Sequence, residues 1–180
     1  ASPITGTSFA APSTVRLGAF ARAHFGDGIS ALATKALIVH RAEPADHDRS
    51  EVGWGRVPPD VISLMACEEG EVRILYQDVL SPTRWLRALV PVPERLEGMV
   101  TIAATLCFAT ETDPQDSLNY TRSGLEVVFR PHDGRRKRGV DQVHANTRPF
   151  FSSRLFGETE QELRGDSHKW ETTLHHAETM

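Results

Sequence analysis

Cysteine is scarce in this chain: Cys67 and Cys107 are the whole complement. Two thiols so far apart give neither a disulfide framework nor a zinc-ligand spacing. Both read as buried free thiols, which leans toward a reducing compartment such as the cytoplasm. Long apolar runs are missing too. No stretch approaches the roughly 18 residues of a membrane-spanning helix, so no membrane partner is expected. Nor is there an excess of charge of one sign. Lys and Arg total 20 against 24 Asp and Glu, a net charge of −4. That balance offers no electrostatic footprint for nucleic acid or an anionic lipid surface. A basic stripe interleaved with aromatics and a heptad seam are absent as well. No signal peptide is visible, and the first residue is Ala1.

What is present suits a globular protein. Hydrophobic residues make up 39% and charged residues 24%, which excludes wholesale disorder. A length of 180 residues allows one ordinary domain or two small ones.

The most informative stretch is Gly6-Thr7-Ser8-Phe9-Ala10-Ala11-Pro12. A small, polar, turning segment runs straight into an Ala-rich apolar helix. Ser8 and its backbone N–H then stand at a helix N-terminus, where unpaired amides favour developing negative charge. Nucleophilic serine chemistry needs such an Oγ with a donor aimed at the oxyanion. The plainer alternative is that Thr7 or Ser8 merely caps the helix. A GxSxG elbow is excluded, because Ala10 stands where the second Gly belongs.

The whole heptad resembles the nucleophile motif of subtilisin-like serine proteases. The resemblance makes Ser8 the nucleophile and its backbone N–H one of two oxyanion donors. It makes Gly6 the tight turn and Thr7 a small packing residue. Pro12 falls in or next to the first helical turn, where a missing N–H matters least. In that family the catalytic Asp and His precede the Ser. Only seven residues precede Ser8 here. The resemblance therefore implies the C-terminal part of a longer protease, with the Asp, the His and the oxyanion Asn upstream.

Residues 8–25 read as one helix, apolar around most of its cylinder and so expected to be buried on nearly all sides. Arg16 and Arg22 mark its wetter edge. Gly26-Asp27-Gly28 stops it. A second helix is expected from Ile29 to Arg41, with Ile29, Leu32, Ala33, Ala36, Leu37 and His40 on one stripe. Glu43 to Asp48 breaks it. A Gly53-x-Gly55 turn follows, and Pro58-Pro59 opens a short helix from Asp60 to Ala66. This order also resembles subtilases, so the likeness covers roughly residues 4–66.

From Glu71 the period changes to alternation. Val72, Ile74 and Tyr76 predict one strand. Ile102, Ala104, Leu106 and Phe108 predict an inward face over Thr101–Thr110. Leu125, Val127 and Phe129 predict a third strand, with a loop at Asp113-Pro114 and Asn119 between them. Gly98 and Gly124 read as turns. Residues 131–149 read as an exposed loop carrying the basic run Arg135-Arg136-Lys137-Arg138, bounded by Gly134 and Gly139. A last strand is expected around Lys169–Leu174, before a polar ending that suits a truncated sandwich.

The eight histidines do not converge on a metal pattern. His168, His175 and His176 alternate faces on a strand, and no zincin spacing occurs. Asp46-His47-Asp48 reads as a polar loop. Some subtilases bind calcium, but no site is identified here and no cofactor is expected. Acids and histidines downstream of Ser8 would give the order Ser–Asp–His. That order belongs to α/β-hydrolases, whose elbow is absent.

The expected fold class is α+β. Residues 1–66 would be the C-terminal helices of a subtilisin-like α/β catalytic domain. Residues 67–180 would form an antiparallel, jelly-roll-like β-sandwich. The expected function is that of a serine endopeptidase acting through an acyl-enzyme. Its partners would be a protein or peptide substrate and the upstream part of the protease domain. This piece alone would be inactive. The rival readings are a non-catalytic β-sandwich binding module and, third, a serine esterase.

Overall fold

The computed structural model describes residues 6–44, 46, 52–91, 98–116, 125, 127–130, 134–137, 145–149 and 173–179. Its first element is helix α1 (Thr7–Phe25), which no side chain caps. It ends at Gly26, whose φ of 71° is the left-handed conformation that glycine adopts without steric cost. A 3-10 turn over Gly26–Gly28 leads to helix α2 (Ala31–His40). Ser30 starts α2 by accepting the Ala33 N–H at 3.1 Å on its hydroxyl. Helix α3 (Val61–Met65) starts the same way, with Asp60 Oδ1 accepting the Ser63 N–H at 2.9 Å.

The three helices share one apolar cluster: Leu17 and Ala21 from α1, Leu37 from α2 and Leu64 from α3. Ile38, Val57, Val61 and Met65 pack around it. Leu64 has no exposed surface. Truncating it leaves a cavity among helices that relax only in part. Leu64→Ala is therefore expected to cost about 2–5 kcal/mol in denaturant unfolding.

Helix α1 departs from expectation. Of its described side chains only Leu17 and Ala21 are buried, whereas Val15, Phe20 and Phe25 remain 70%, 54% and 45% exposed. The reason is geometric: α2 and α3 pack on one side of α1, and the other apolar faces have no described neighbour. Such uncovered surface drives association. This chain in isolation is expected to self-associate, and light scattering showing a monodisperse monomer would refute that.

The second half carries two small antiparallel sheets. Strand β1 (Thr101–Cys107) pairs with β4 (Thr173–Thr179), and β2 (Val128–Phe129) pairs with β3 (Arg148–Pro149). Alternation divides the faces of β1 as the pattern predicts. Ile102, Ala104 and Leu106 pack with Val127 and Phe129. Thr101, Thr105 and Cys107 take the other face, opposite Thr179, His175 and Thr173. The architecture is α+β, with β1 packed on α2.

Several expectations are corrected. Val72, Ile74 and Tyr76 form no strand; all three are exposed, in a stretch with no ladder among the described residues. Alternation dictates an extended backbone, but a strand also needs a neighbour to receive its hydrogen bonds. This stretch is tied down by side chains instead. Gln77 Oε1 accepts the Ser30 N–H at 3.0 Å, and its amide donates to the Gly28 carbonyl. Residues 131–149 are not all loop, since β3 and an Arg136–Ala145 bridge fall there. Strand β4 runs on to Thr179 through residues that looked like a polar tail. Cys67 is exposed and Cys107 half-buried, so neither is the buried thiol expected. Asn119, Gly124, Arg138, Gly139, His168 and residues 169–172 lie outside the described residues.

Candidate functional site

Ser8 is the second residue of α1, and Gly6 is its N-cap, in an extended conformation with φ of 165°. The first helical bond runs from Ala10 N–H to the Gly6 carbonyl at 3.3 Å. The amides of Thr7, Ser8 and Phe9 therefore have no carbonyl within the helix to reach. Gly6, Thr7 and Ser8 are all exposed. Among the described residues the Ser8 hydroxyl has no hydrogen-bond partner, and no acidic side chain occupies the first turn. So neither Thr7 nor Ser8 caps α1 through its side chain.

Pro12 is the sixth residue of α1. It lies one full turn after Ser8, and its nitrogen is where the donor to the Ser8 carbonyl would be. Proline has no such donor, so Ser8 loses its backbone bond to the next turn. This turn of α1 therefore carries one backbone bond fewer than an uninterrupted helix would. No described histidine hydrogen-bonds Ser8, and an intrachain Ser–Asp–His triad is not assembled among the described residues.

A second constellation lies where α2 meets the β1–β4 sheet. Thr105 Oγ1 is 2.9 Å from His40 Nδ1 and 2.6 Å from His175 Nδ1. The two imidazoles meet edge to face, with centroids 5.8 Å apart. Trp54 meets His175 edge to face, at 6.3 Å between ring centroids. Antiparallel register explains half of this, because Thr105 and His175 are direct cross-strand partners and share a face. The other half comes from α2, whose last residue is His40.

Burial pushes the His40 pKa below the ordinary imidazole value. The neighbouring His175, Arg73 and Arg41 push in the same direction, and Glu71 opposes them. Arg73 is itself anchored by its ion pair to Glu71 at 2.7 Å and by donation to the Leu64 carbonyl at 3.1 Å. His40 stood on the apolar stripe read from sequence. A polar side chain on such a stripe needs a partner, but nothing local pointed to residues 105 and 175.

Among the described residues no group of three or more His, Cys, Asp or Glu side chains converges as metal ligands. Asp46 is exposed, and His47 and Asp48 lie outside the described residues. No described helix is long and apolar enough to cross a membrane. No family model, curated protein or solved structure matches this chain.

Proposed function

We propose that this chain is the C-terminal segment of a subtilisin-like serine endopeptidase, with Ser8 as the nucleophile. The observation that carries the reading is the state of Ser8 in α1. The residue lies in the first turn of a 19-residue helix, its hydroxyl is exposed, and no side chain occupies the helix cap. Its Oγ is therefore open to a carbonyl carbon, and its own N–H is open to the oxygen of that carbonyl.

In the proposed reaction Ser8 Oγ attacks the scissile carbonyl, and a His preceding this segment accepts the Oγ proton. An Asp, also upstream, orients that His. The negative charge moves to the carbonyl oxygen. The Ser8 N–H, the positive end of the α1 dipole and an upstream Asn side chain stabilise it there. Collapse expels the amine with the proton from His, and water then cleaves the acyl-enzyme. The uncovered apolar faces of α1 fit this reading, since they offer a docking surface for the rest of a catalytic domain. In the same reading residues 67–180 form a β-sandwich. The face of β1 that packs on Val127 and Phe129 supports it.

A fluorophosphonate probe on the full-length protein tests the proposal. Covalent labelling mapped to Ser8 is the expected result. An intact, folded protein that does not label would favour the non-catalytic binding module.

A further inference from the structure

The chain His40–Thr105–His175 has a property that neither hydrophobic packing nor the Ser8 chemistry requires. One hydroxyl stands between two imidazole Nδ1 atoms, at 2.9 and 2.6 Å. A hydroxyl has one proton to give and lone pairs to receive. With both rings neutral, one Nδ1–H donates to Oγ1 and Oγ1–H donates to the other Nδ1. With one ring charged the same two bonds persist, the cation donating. With both rings charged, both Nδ1–H groups point at Oγ1, whose own proton then faces no acceptor in the chain. Two like charges also stand with ring centroids 5.8 Å apart. The chain thus accommodates one proton and opposes a second.

We propose that His40, Thr105 and His175 form a proton-controlled latch that fastens the β1–β4 sheet to the end of α2 and releases it in acid. It stands whether or not Ser8 is a nucleophile. The latch joins three distant parts of the sequence, and the charged groups around it reinforce its direction. Arg41 follows the end of α2, and Arg73 with Glu71 comes from the segment after α3. Two of those three are cations, so a charged His40 meets net repulsion from its surroundings. Burial acts the same way, and it is the largest cause of the lowered His40 pKa. For an imidazole lowered in the folded state, the contact is fully favoured above the free value of about 6.5. It weakens as pH falls below that value toward the folded one, because the open state binds the extra proton. Each pH unit in that window multiplies the open population by up to about tenfold per proton taken up.

Hydrogen exchange read by mass spectrometry on the 180-residue chain tests the latch at about pH 7.5 and about pH 5.5, with rates corrected for intrinsic chemistry. Residues 101–107 and 173–179 are expected to exchange faster in acid, by up to about tenfold, with α1 and α3 unchanged. Thr105→Val, which removes the hydroxyl and keeps the shape, is expected to exchange fast in both strands at both pH values. Thr105→Ser should retain the wild-type response. Equal corrected rates in the wild type at the two pH values would overturn the latch. If Thr105→Val does not fold, His40→Gln decides: an acid response as large as wild type in that variant also overturns it.

Discussion

Ser8→Ala in the full-length protein is expected to lower kcat for peptide hydrolysis by about four to six orders of magnitude. Subtilisin supplies the measured scale for losing a member of such a triad. The loss corresponds to about 5–8 kcal/mol of transition-state stabilisation. The substitution should leave the fold untouched. Ser8 is exposed, and its hydroxyl has no partner among the described residues. Alanine is also the better helix former, so thermal stability should hold or rise slightly. Activity lost at constant Tm is thus the signature of a nucleophile, and activity lost together with Tm would point to a structural serine. Thr7→Ala is the matched control, since Thr7 is equally exposed in the same turn.

Two further comparisons sharpen that experiment. A folded protein that turns over simple esters but not peptides would make the reading a serine esterase. The 180-residue chain alone is expected to show no hydrolysis, because the proposed proton acceptor and its orienting acid precede this segment. Hydrolysis by this chain alone, abolished by Ser8→Ala, would overturn the assignment of those partners to an upstream segment.

Local features of the sequence carried the helical half of the fold. Helix α1 was legible because an apolar run is bracketed by Gly6 and by Gly26-Asp27-Gly28, and the positive φ that ends it at Gly26 is a conformation glycine favours. The starts of α2 and α3 fall later than the periodicity places them, at Ala31 and Val61, because Ser30 and Asp60 cap these helices rather than join them. The strands were legible only where a partner exists. Thr101–Cys107 and Val72–Tyr76 alternate equally well, but only the first has β4 beside it. Pairing is decided by residues far along the chain, which local alternation does not encode. The His40–Thr105–His175 chain was invisible for that reason. The heptad Gly6–Pro12 is contiguous, so the proposal built on it draws on no distant partner within this sequence. What the heptad left open was whether Ser8 caps α1, and Gly6 at the cap answers that.

Gly55→Ala is expected to destabilise the protein by about 2–4 kcal/mol, far more than Gly53→Ala. In sequence the two glycines of Gly53-Trp54-Gly55 look equivalent, and both have positive φ, 62° and 103°. Their surroundings differ. A methyl group on Gly53 would meet nothing within 4 Å, so its cost is only that of a left-handed alanine, about 1–2 kcal/mol. A methyl group on Gly55 would stand 2.0 Å from the Glu43 carbonyl oxygen and 2.8 Å from its carbon. Both are backbone atoms, so no rotamer change relieves the clash. The two strands of chain must part, and what holds them is the Glu43–Arg56 bridge. That bridge has N–H···O bonds of 2.8 and 2.9 Å and an ion pair between the two side chains. The ion pair is exposed and adds little; the two backbone bonds are the larger loss. Trp54, the neighbour of Gly55, sits on the same stretch and is in edge-to-face contact with His175. Denaturant unfolding of the two alanine variants side by side checks the ranking. Equal losses would show that the Glu43–Gly55 approach does not constrain the fold.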